Sequence, residues 1–298
     1  MATLRDLRER RKTVSSIQKI TNAMKVVSVS KFRRTQKQMM NLQPYAEKSR
    51  EIFANLSSGD TGAGAADPYL VKRSINKVCY VLFVGDKGLC GAYNNNVLKY
   101  FQKLIAAEEH EYSVVIVGKW GGEIIDRMDL PLLRRFSDLG DSPDNHGARS
   151  VTNYLLNLYS TGEADKVVLV YEKFKNVISQ EPHDLVLLPV EHDESDDGSS
   201  EQTNSVYHFE PERDTVLHSA VLTYLNSSVY EVILEAKAGE HASRMTAMTA
   251  ATDNTDKLLS ELELYMNRVR QADITTEISE IVGGAAALKK RQQELKKR

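Results

Sequence analysis

Long stretches at both ends of the chain lack residues that break helices. Residues 212–298 contain no proline and three glycines, and residues 1–43 contain no proline. Because proline breaks helix interiors and glycine weakens them, the C-terminal stretch predicts one helix of ~130 Å, at about 1.5 Å per residue. A helix of this length cannot bury its apolar stripe alone, so it must lie against another helix or inside another protein.

The spacing of apolar residues in these stretches predicts a coiled coil. In the C-terminal helix, residues alternately four and three apart form a seam that weakens toward its end. The N-terminal helix is predicted over Thr3–Leu56, could bend at Pro44, and has a discontinuous apolar stripe. The predicted seam consists of Leu258, Leu262, Tyr265, Val269, Ala272, Thr276 and Ser279, and the stripe of Leu4, Leu7, Val14, Ile17, Ile20, Met24 and Val27.

The middle of the chain alternates short apolar runs with helix-like segments. The runs are rich in β-branched residues, which is typical of strands covered on both faces. Alternation of strand and helix predicts an α/β domain built on a small, doubly wound parallel sheet. The predicted strands are Val78–Val84, Val114–Val117, Val167–Tyr171 and Leu185–Val190, and the predicted helices are Ala92–Glu108, Gly122–Met128 and Ala148–Tyr159.

These patterns divide the chain into four parts. Residues 1–58 form the N-terminal coiled-coil helix, 75–191 the α/β domain, 192–211 an acidic segment, and 212–298 the C-terminal coiled-coil helix. The sequence GDTGAGAA (59–66) predicts a flexible connector, and HDESDDGSSEQTNS (192–205) is too polar to pack, which predicts a mobile loop.

The charge is distributed unevenly along the chain, although the formal net charge is only −2. Residues 1–50 contain 13 Lys and Arg against three acids, whereas residues 191–214 contain nine acids against one base. Such asymmetry indicates that different parts of the molecule meet different partners. The basic N-terminal helix could bind nucleic-acid phosphates, bind an acidic protein surface, or be a solvated face. Phe32 is the only aromatic residue before position 45, which argues against stacking on single-stranded bases.

The absence of targeting signals and the pattern of cysteines bear on the cellular compartment of the protein. The sequence contains no run of 18 apolar residues, the length needed to span a membrane. It also lacks the apolar segment that follows the first basic residues in a secretory signal. A mitochondrial transit peptide is a rival interpretation of the Arg- and Ser-rich start, but Asp6, Glu9 and the continuing helical pattern oppose it. Cys79 and Cys90 lack metal-binding spacing and suggest a reducing compartment.

The segment GDKGLCG (85–91) follows the first predicted strand, where phosphate-binding loops occur. It contains neither Gly-x-Gly nor a terminal Gly-Lys-Ser/Thr, so a tight turn is the simpler interpretation. The seven histidines are scattered, and no set of residues has the pattern of a catalytic or metal site. We therefore expect no catalytic residue, no cofactor and no metal, and keep a dinucleotide enzyme as an alternative class.

Three motifs resemble one known family. HASRMTAMTAATDNTDKLLSELELYMNRVRQADITTEISEIVGGAAAL (241–288) closely resembles the C-terminal signature of the γ subunits of F-type ATP synthases. QKITNAMKVVSVSKFRRTQ (18–36) is similar to the N-terminal motif of that family, and GDKGLCGAYNNNV (85–97) is similar to its central motif. The matches occur in the right order and span essentially the whole chain.

The resemblance implies a fold and a role. The fold is a long antiparallel coiled coil of the N- and C-terminal helices, with a central Rossmann-like, doubly wound α/β domain at its side. The role is the central rotor shaft, which couples ion flow through the membrane c ring to ATP synthesis or hydrolysis on the β subunits. The implied partners are the α and β subunits of the catalytic hexamer, the ε subunit and the c-subunit ring. A nucleic-acid-binding coiled-coil protein is the alternative.

The resemblance also implies contact residues. Arg270 and Gln271 match positions that catch a loop of β, with Thr275 and Glu277 beside them, and Met24 and Lys25 match a pair near the moving lever of β. The segment YHFEP (207–211) matches the foot of the family, where Tyr207 and Glu210 would face the c ring.

The start of the chain bears on the expected location. The family motif begins almost at Met1 and leaves no room for a transit peptide, which favours a bacterial complex at the cytoplasmic face of the plasma membrane. The redox-active cysteine insertion of chloroplast members is absent from the acidic segment, which argues against thiol regulation.

Overall fold

The computed structural model describes residues 3–57, 67–120, 128–190, 210 and 212–295, with side chains through residue 289. The predicted connector and acidic loop lie outside these residues, as does the predicted helix Gly122–Met128 except for Met128. The helices are α1 Leu4–Ser57, α2 Tyr93–Ala106, α3 Asn145–Ser160 and α4 Arg213–Leu295; the strands are β1 Lys77–Phe83, β2 Glu111–Val117, β3 Leu132–Phe136, β4 Lys166–Phe174 and β5 Gln180–Leu188.

The two long helices confirm the prediction from the proline-free ends. Helix α4 is unbroken over 83 residues, and α1 continues through Pro44 over 54 residues. The chain divides into two compact units, and both helices contribute to each. The first unit contains residues 1–25 and 248–298, and the second contains residues 26–247.

The second unit is built on a five-stranded sheet of order β3-β2-β1-β4-β5. The pairs β2–β3, β1–β2 and β1–β4 are parallel, as expected for a doubly wound sheet, whereas β5 is antiparallel to β4. The prediction of an all-parallel sheet is therefore wrong for β5. Only residues 175–179 separate β4 from β5, and a parallel pair needs a crossover of a dozen or more residues.

Strand β3 was absent from the sequence prediction. Its sequence LLRRF has two adjacent arginines and no β-branched residue, so it lacks the signal by which the other strands were recognised. It pairs only with β2, and a strand at the edge of a sheet tolerates charge because one side is open to solvent. The Arg134 guanidinium lies over the rings of Phe136 and Tyr154, 4.6 and 4.9 Å from their centroids, a cation–π arrangement that accommodates one of the two charges.

Both faces of the sheet are covered. Helix α2 packs on one face, where Val97 and Phe101 contact the strands. Helices α3 and α4 and the end of α1 pack on the other face, where Phe53 of α1 stacks on Tyr224 of α4 with ring centroids 4.9 Å apart. Burial on both faces accounts for the continuous apolar runs of β1, β2 and β4.

The first unit is an antiparallel pairing of α1 with α4. Arg11 forms an ion pair with Glu263 at 2.8 Å, Gln18 is hydrogen-bonded to Asp256, and the hydroxyls of Thr21 and Thr252 are 3.0 Å apart. Residue numbers rise along α1 as they fall along α4, which confirms the antiparallel coiled coil.

The seam on α1 differs from the predicted apolar stripe. Ile17, Ile20 and Val27 are exposed, whereas Thr21 and Ser28 are buried. The less exposed positions of α1 recur four and three residues apart and include polar side chains. Small hydroxyl side chains let the helices approach and can bond across the seam, and this cannot be recognised from a search for apolar residues.

The predicted seam on α4 is partly wrong as well. Leu262 and Val269 face α1, but Leu258 and Tyr265 are 42% and 45% exposed. The predicted positions beyond Val269 are exposed, and in this register they lie beyond the described residues of α1, which begins at Leu4. The observed seam consists of Met248, Thr252, Thr255, Leu259, Leu262, Met266 and Val269.

Candidate functional site

The sheet of the second unit has a position where ligands bind in many doubly wound proteins. From β1 the chain proceeds outward to β2 and β3, and then returns to place β4 on the other side of β1. Ligands bind at the carboxyl ends of the strands at such a reversal of strand order. The loop 85–91 follows β1 at this point, so a ligand site would be expected in the crevice between the ends of β1 and β4.

In this protein, helix α4 fills the crevice. A side-chain carbon added to Gly85 would lie 2.9 Å from Cδ of Glu240, and one added to Gly239 would lie 3.2 Å from Cε2 of Tyr93. The hydroxyl of Tyr93 donates a hydrogen bond of 2.9 Å to the carbonyl of Ala236. The two glycines therefore permit close packing between the loop, α2 and α4.

A buried cluster of charges joins α4 to the loop. Lys237 is paired with Asp86 and lies 3.3 Å from Glu240, and Arg244 is paired with Glu240 at 2.7 Å. Arg244 also donates to the carbonyls of Lys87 at 2.9 Å and Gly88 at 3.3 Å. The side chains of Lys237, Glu240 and Arg244 are at most 9% exposed, so these charge-assisted contacts form away from water.

The electrostatics of the cluster favour an ionised carboxylate. Burial opposes ionisation of Glu240, but Lys237 and Arg244 outweigh it, and the pKa of this carboxyl is lowered. Burial lowers the pKa of His241, and the positive charges of Arg244, Lys237 and Lys31 add to that effect. The cluster therefore contains an internal anion, the Glu240 carboxylate, and protonation of the neighbouring His241 imidazole is disfavoured.

Among the described residues, this arrangement places side chains of α4 and α2 where a nucleotide phosphate would approach the start of the loop. The backbone N–H of Gly85 donates to Oδ1 of Asn94 at 2.8 Å, and the N–H of Asp86 points toward Oε1 of Glu240 at 3.4 Å. The loop donors that a phosphate would need are thus directed at the protein's own side chains. The interpretation of GDKGLCG as a turn agrees with this geometry, and the turn also serves as the docking site of α4.

Sequence analysis identified the loop but missed its charged partners on α4. Lys237, Glu240 and Arg244 are spaced three and four residues apart, and they interrupt a helical segment that is otherwise rich in apolar and small residues. Opposite charges at that spacing normally indicate ion pairs on a solvated helix face. Only the close approach of the loop reveals that these pairs are buried.

The predicted contact residues of the first unit lie in two groups. Met24 and Lys25 are partly buried on α1, one turn beyond Thr21. Because Thr21 pairs with Thr252, these two residues lie about twenty residues of α4 away from Arg270, or roughly 30 Å. The two groups are therefore separate surfaces.

The second group lies where α4 has no partner within the described chain. Every side chain from Arg270 to Lys289 is exposed, and these include Gln271, Thr275 and Glu277. The Thr275 hydroxyl donates to the Gln271 carbonyl within the helix. The exposed part of α4 also has a stripe of large apolar side chains, namely Ile274, Ile278, Ile281, Val282 and Leu288.

The predicted foot can be located only in part. Glu210 is exposed, just before the start of α4, and Tyr207 lies outside the described residues. In the described part of the chain, no group of three or more His, Cys, Asp or Glu side chains could hold a metal ion. Among the same residues, no helix is both long and apolar enough to cross a membrane.

Comparisons with known proteins identify the family. A family described as ATP synthase matches residues 3–288. The ATP synthase gamma chain of Desulfitobacterium hafniense is 39% identical over 288 residues, which cover 97% of this chain and all of that protein. Two solved structures of the Euglena gracilis mitochondrial ATP synthase share the fold.

The first of these, the rotor, has a TM-score of 0.65 at 19% identity and covers 91% of this chain and 98% of its own. The second, the OSCP/F1/c-ring assembly, has a TM-score of 0.67 at 20% identity and covers 96% of this chain and 94% of its own. The close match over the full length of a bacterial relative is the decisive finding. The chain belongs to the ATP synthase gamma chain family.

Proposed function

We propose that this chain is the central rotor shaft of an F-type ATP synthase. It couples ion flow through the membrane c ring to ATP synthesis or hydrolysis on the β subunits by rotation. Its partners are the α and β subunits of the catalytic hexamer, the ε subunit and the c ring. Membership of the gamma chain family supports this role, and it favours a protein partner over nucleic acid for the basic N-terminal helix.

The observation that carries the proposal is the end of α4, which has no partner among the residues that the structure describes. Ile274, Ile278 and Ile281 are 46%, 56% and 71% exposed, and they recur at the four- and three-residue spacing of a helix interface. Burying a large aliphatic side chain stabilises a complex by about 1.5–3 kcal/mol. An apolar stripe on a single exposed helix therefore calls for a surrounding partner, and the cavity of the hexamer is such a partner.

The mechanism needs no catalytic residue on this chain. A shaft can act by interacting with different free energy with each conformation of β, so that its rotation changes which nucleotide sites are open or closed. The filled crevice at Gly85 and Glu240 supports this non-catalytic role because it removes the most probable nucleotide site of the sheet. Catalysis then takes place on the β subunits.

We assign the contacts to three surfaces. Arg270, Gln271, Thr275 and Glu277 catch a loop of β, and Met24 and Lys25 lie near its acidic lever. Tyr207 and Glu210 form the foot on the c ring. The exposure of Arg270, Gln271 and Glu210 is compatible with these contacts. In this scheme residues 1–58 and 212–298 are the shaft, 75–191 the α/β domain, and 192–211 the acidic loop and foot.

The proposed location follows from the assembly. The chain belongs to the peripheral F1 sector of a membrane-bound complex, at the cytoplasmic face of a bacterial plasma membrane. It meets the membrane only through the c ring.

Cysteine cross-linking in the assembled complex tests the assignment. We expect Arg270→Cys to cross-link to β and to stall turnover, and Glu210→Cys to cross-link to a c-subunit loop without stopping ATP-driven rotation. The native Cys79 and Cys90 are buried, so the introduced thiols are the accessible ones. Ser150→Cys, on an exposed position of α3, is the control that should form neither cross-link. If the Glu210 link stopped rotation and the Arg270 link did not, shaft and foot would be reversed.

A further inference from the structure

The loop after β1 contacts α4 through consecutive residues. The carboxylate of Asp86 binds the Lys237 ammonium, and the carbonyls of Lys87 and Gly88 accept hydrogen bonds from Arg244. Gly85 lies directly against Glu240. The loop thus has four successive residues in contact with one helix.

On α4, the residues that make these contacts form one short surface. Lys237, Glu240 and Arg244 are three and four residues apart, so they lie on the same face of the helix over two turns. Glu240 is the centre of this surface, because it is paired with both Lys237 and Arg244 and approaches the N–H of Asp86. The Lys237–Glu240 and Glu240–Arg244 pairs lie within α4 and would move with it, but turning α4 about its axis would break every contact that these residues make with the loop.

Breaking the loop contacts would separate the Asp86 carboxylate, whose side chain is 13% exposed, from Lys237, and would separate Arg244 from the carbonyls of Lys87 and Gly88. The Lys237 side chain is 7% exposed, that of Glu240 3% and that of Arg244 9%. Removing one partner of a buried ion pair is strongly unfavourable, because the remaining charge is neither paired nor hydrated. The loop contacts therefore add a directional, charge-assisted resistance to rotation of α4 relative to the sheet, beyond the apolar packing of the helix.

We propose that the loop 85–88 is a torque clamp, with Glu240 as the positioning residue on which it closes. The clamp prevents α4 from turning within the α/β unit, so that torsion applied to the helix is delivered to the whole unit. This inference rests on the proposed rotor function. It assigns the loop a mechanical role in coupling.

The substitution Glu240→Gln tests the clamp in the assembled, membrane-reconstituted ATP synthase. It keeps the side-chain size and leaves Lys237 and Arg244 without their shared anion. We expect ATP hydrolysis to continue while the number of ions pumped per ATP falls at least about twofold, because rotation is less tightly linked to the c ring. Glu231→Gln is the matched control. Glu231 lies on the same helix and pairs with Arg50 of α1, but it is outside the clamp, so pumping should be unchanged.

A reversible cross-link provides the rescue. A side-chain carbon at Gly91 would lie 3.9 Å from Cβ of Ala247, which suits a disulfide. We expect Gly91→Cys with Ala247→Cys, in a Cys90→Ser background, to restore pumping by the Glu240→Gln complex when oxidised and to lose it on reduction. Gly91 has φ +60°, so the pair without Glu240→Gln must first be shown to pump normally.

The outcomes separate the clamp from the rotor proposal. Normal pumping by Glu240→Gln would overturn the clamp and leave the rotor function intact, whereas a wild-type chain that supports no coupled pumping would overturn the rotor function itself. If Glu240→Gln does not assemble, Asp86→Asn, which removes only the Lys237 partner, takes its place. Failure of both to assemble, or a pumping defect that oxidation does not relieve, would show that these contacts serve folding and would contradict the clamp.

Discussion

The carboxylate-bearing side chain of Glu240 occupies the space that any side chain at position 85 would need. A side-chain carbon built on Gly85 lies 2.9 Å from Cδ and 3.1 Å from Cγ of Glu240. Glu240 cannot move aside freely, because Lys237 and Arg244 bind its oxygens. This contact converts a loop at a typical ligand-binding position into the docking site of a helix.

We expect Gly85→Ala to destabilise the chain by about 1–3 kcal/mol, because overpacking a dense interior forces neighbours out of place. Gly88→Ala is the control, since its nearest neighbour is the Trp120 Nε1 atom at 3.9 Å, an ordinary contact. The free energy of unfolding in urea measures both. Equal stability of the two variants would mean that the Glu240 side chain moves aside with no loss of free energy of unfolding, and would contradict this prediction.

The partly buried Glu235 should make stability depend on pH. Burial raises the pKa of this carboxyl to about 7, and the nearby Glu231 adds to the effect. Its Oε2 atom is buried and has no hydrogen-bond partner within the described residues. The folded state therefore holds a proton that the unfolded state has already released between about pH 4.5 and 7.

Because the folded state holds this extra proton, the free energy of unfolding should fall as the pH rises from about 4.5 to 7. We expect Glu235→Gln to remove the dependence and to be more stable than wild type above pH ~7, by up to about 3 kcal/mol. Urea unfolding at pH 5 and pH 8 measures it. Glu231→Gln should keep a pH dependence of stability. A Glu235→Gln variant that is less stable than wild type at pH 8 would contradict the raised pKa of Glu235.

The exposed pair Arg270 and Gln271 should matter for coupling and little for folding. Both side chains are exposed among the described residues. Both can form hydrogen bonds to β, and those of Arg270 would be charge-assisted. We expect Arg270→Ala with Gln271→Ala to reduce ATP synthesis by about tenfold, with thermal unfolding of the isolated chain unchanged. Normal synthesis and rotation in reconstituted membranes would remove this pair from the β contact.

The isolated chain should neither bind nor hydrolyse ATP. The loop lacks a terminal Gly-Lys-Ser/Thr, and its Gly85 and Asp86 amides are directed at Asn94 and Glu240. Calorimetry on the purified chain is the measurement, with Gly85→Ala as a variant in which the loop is disturbed. Micromolar binding of one ATP per chain would contradict both the filled crevice and the proposed division of labour.

Local sequence patterns were sufficient to predict the long helices and the central strands. Freedom from proline over 212–298 allowed α4 to form without interruption, and the β-branched runs at Val78 and Val167 had the composition of strands buried on both faces. These signals are local, since they depend on the residues of each segment alone. Strand β3 was missed because an edge strand tolerates its two arginines and so lacks the apolar pattern that predicts a strand.

Contacts between segments that are distant in the sequence determine which residues face inward and which helix the loop after β1 contacts. The periodicity of α1 suggested Ile17 and Ile20 for the seam, but pairing with α4 placed Thr21 there, bonded to Thr252. Likewise Glu240 and Gly85, 155 positions apart in the sequence, meet only when α4 lies across the sheet. Local composition and spacing limit each segment to a helix or a strand, whereas its buried face and its partner depend on contacts with distant segments, which local patterns do not encode.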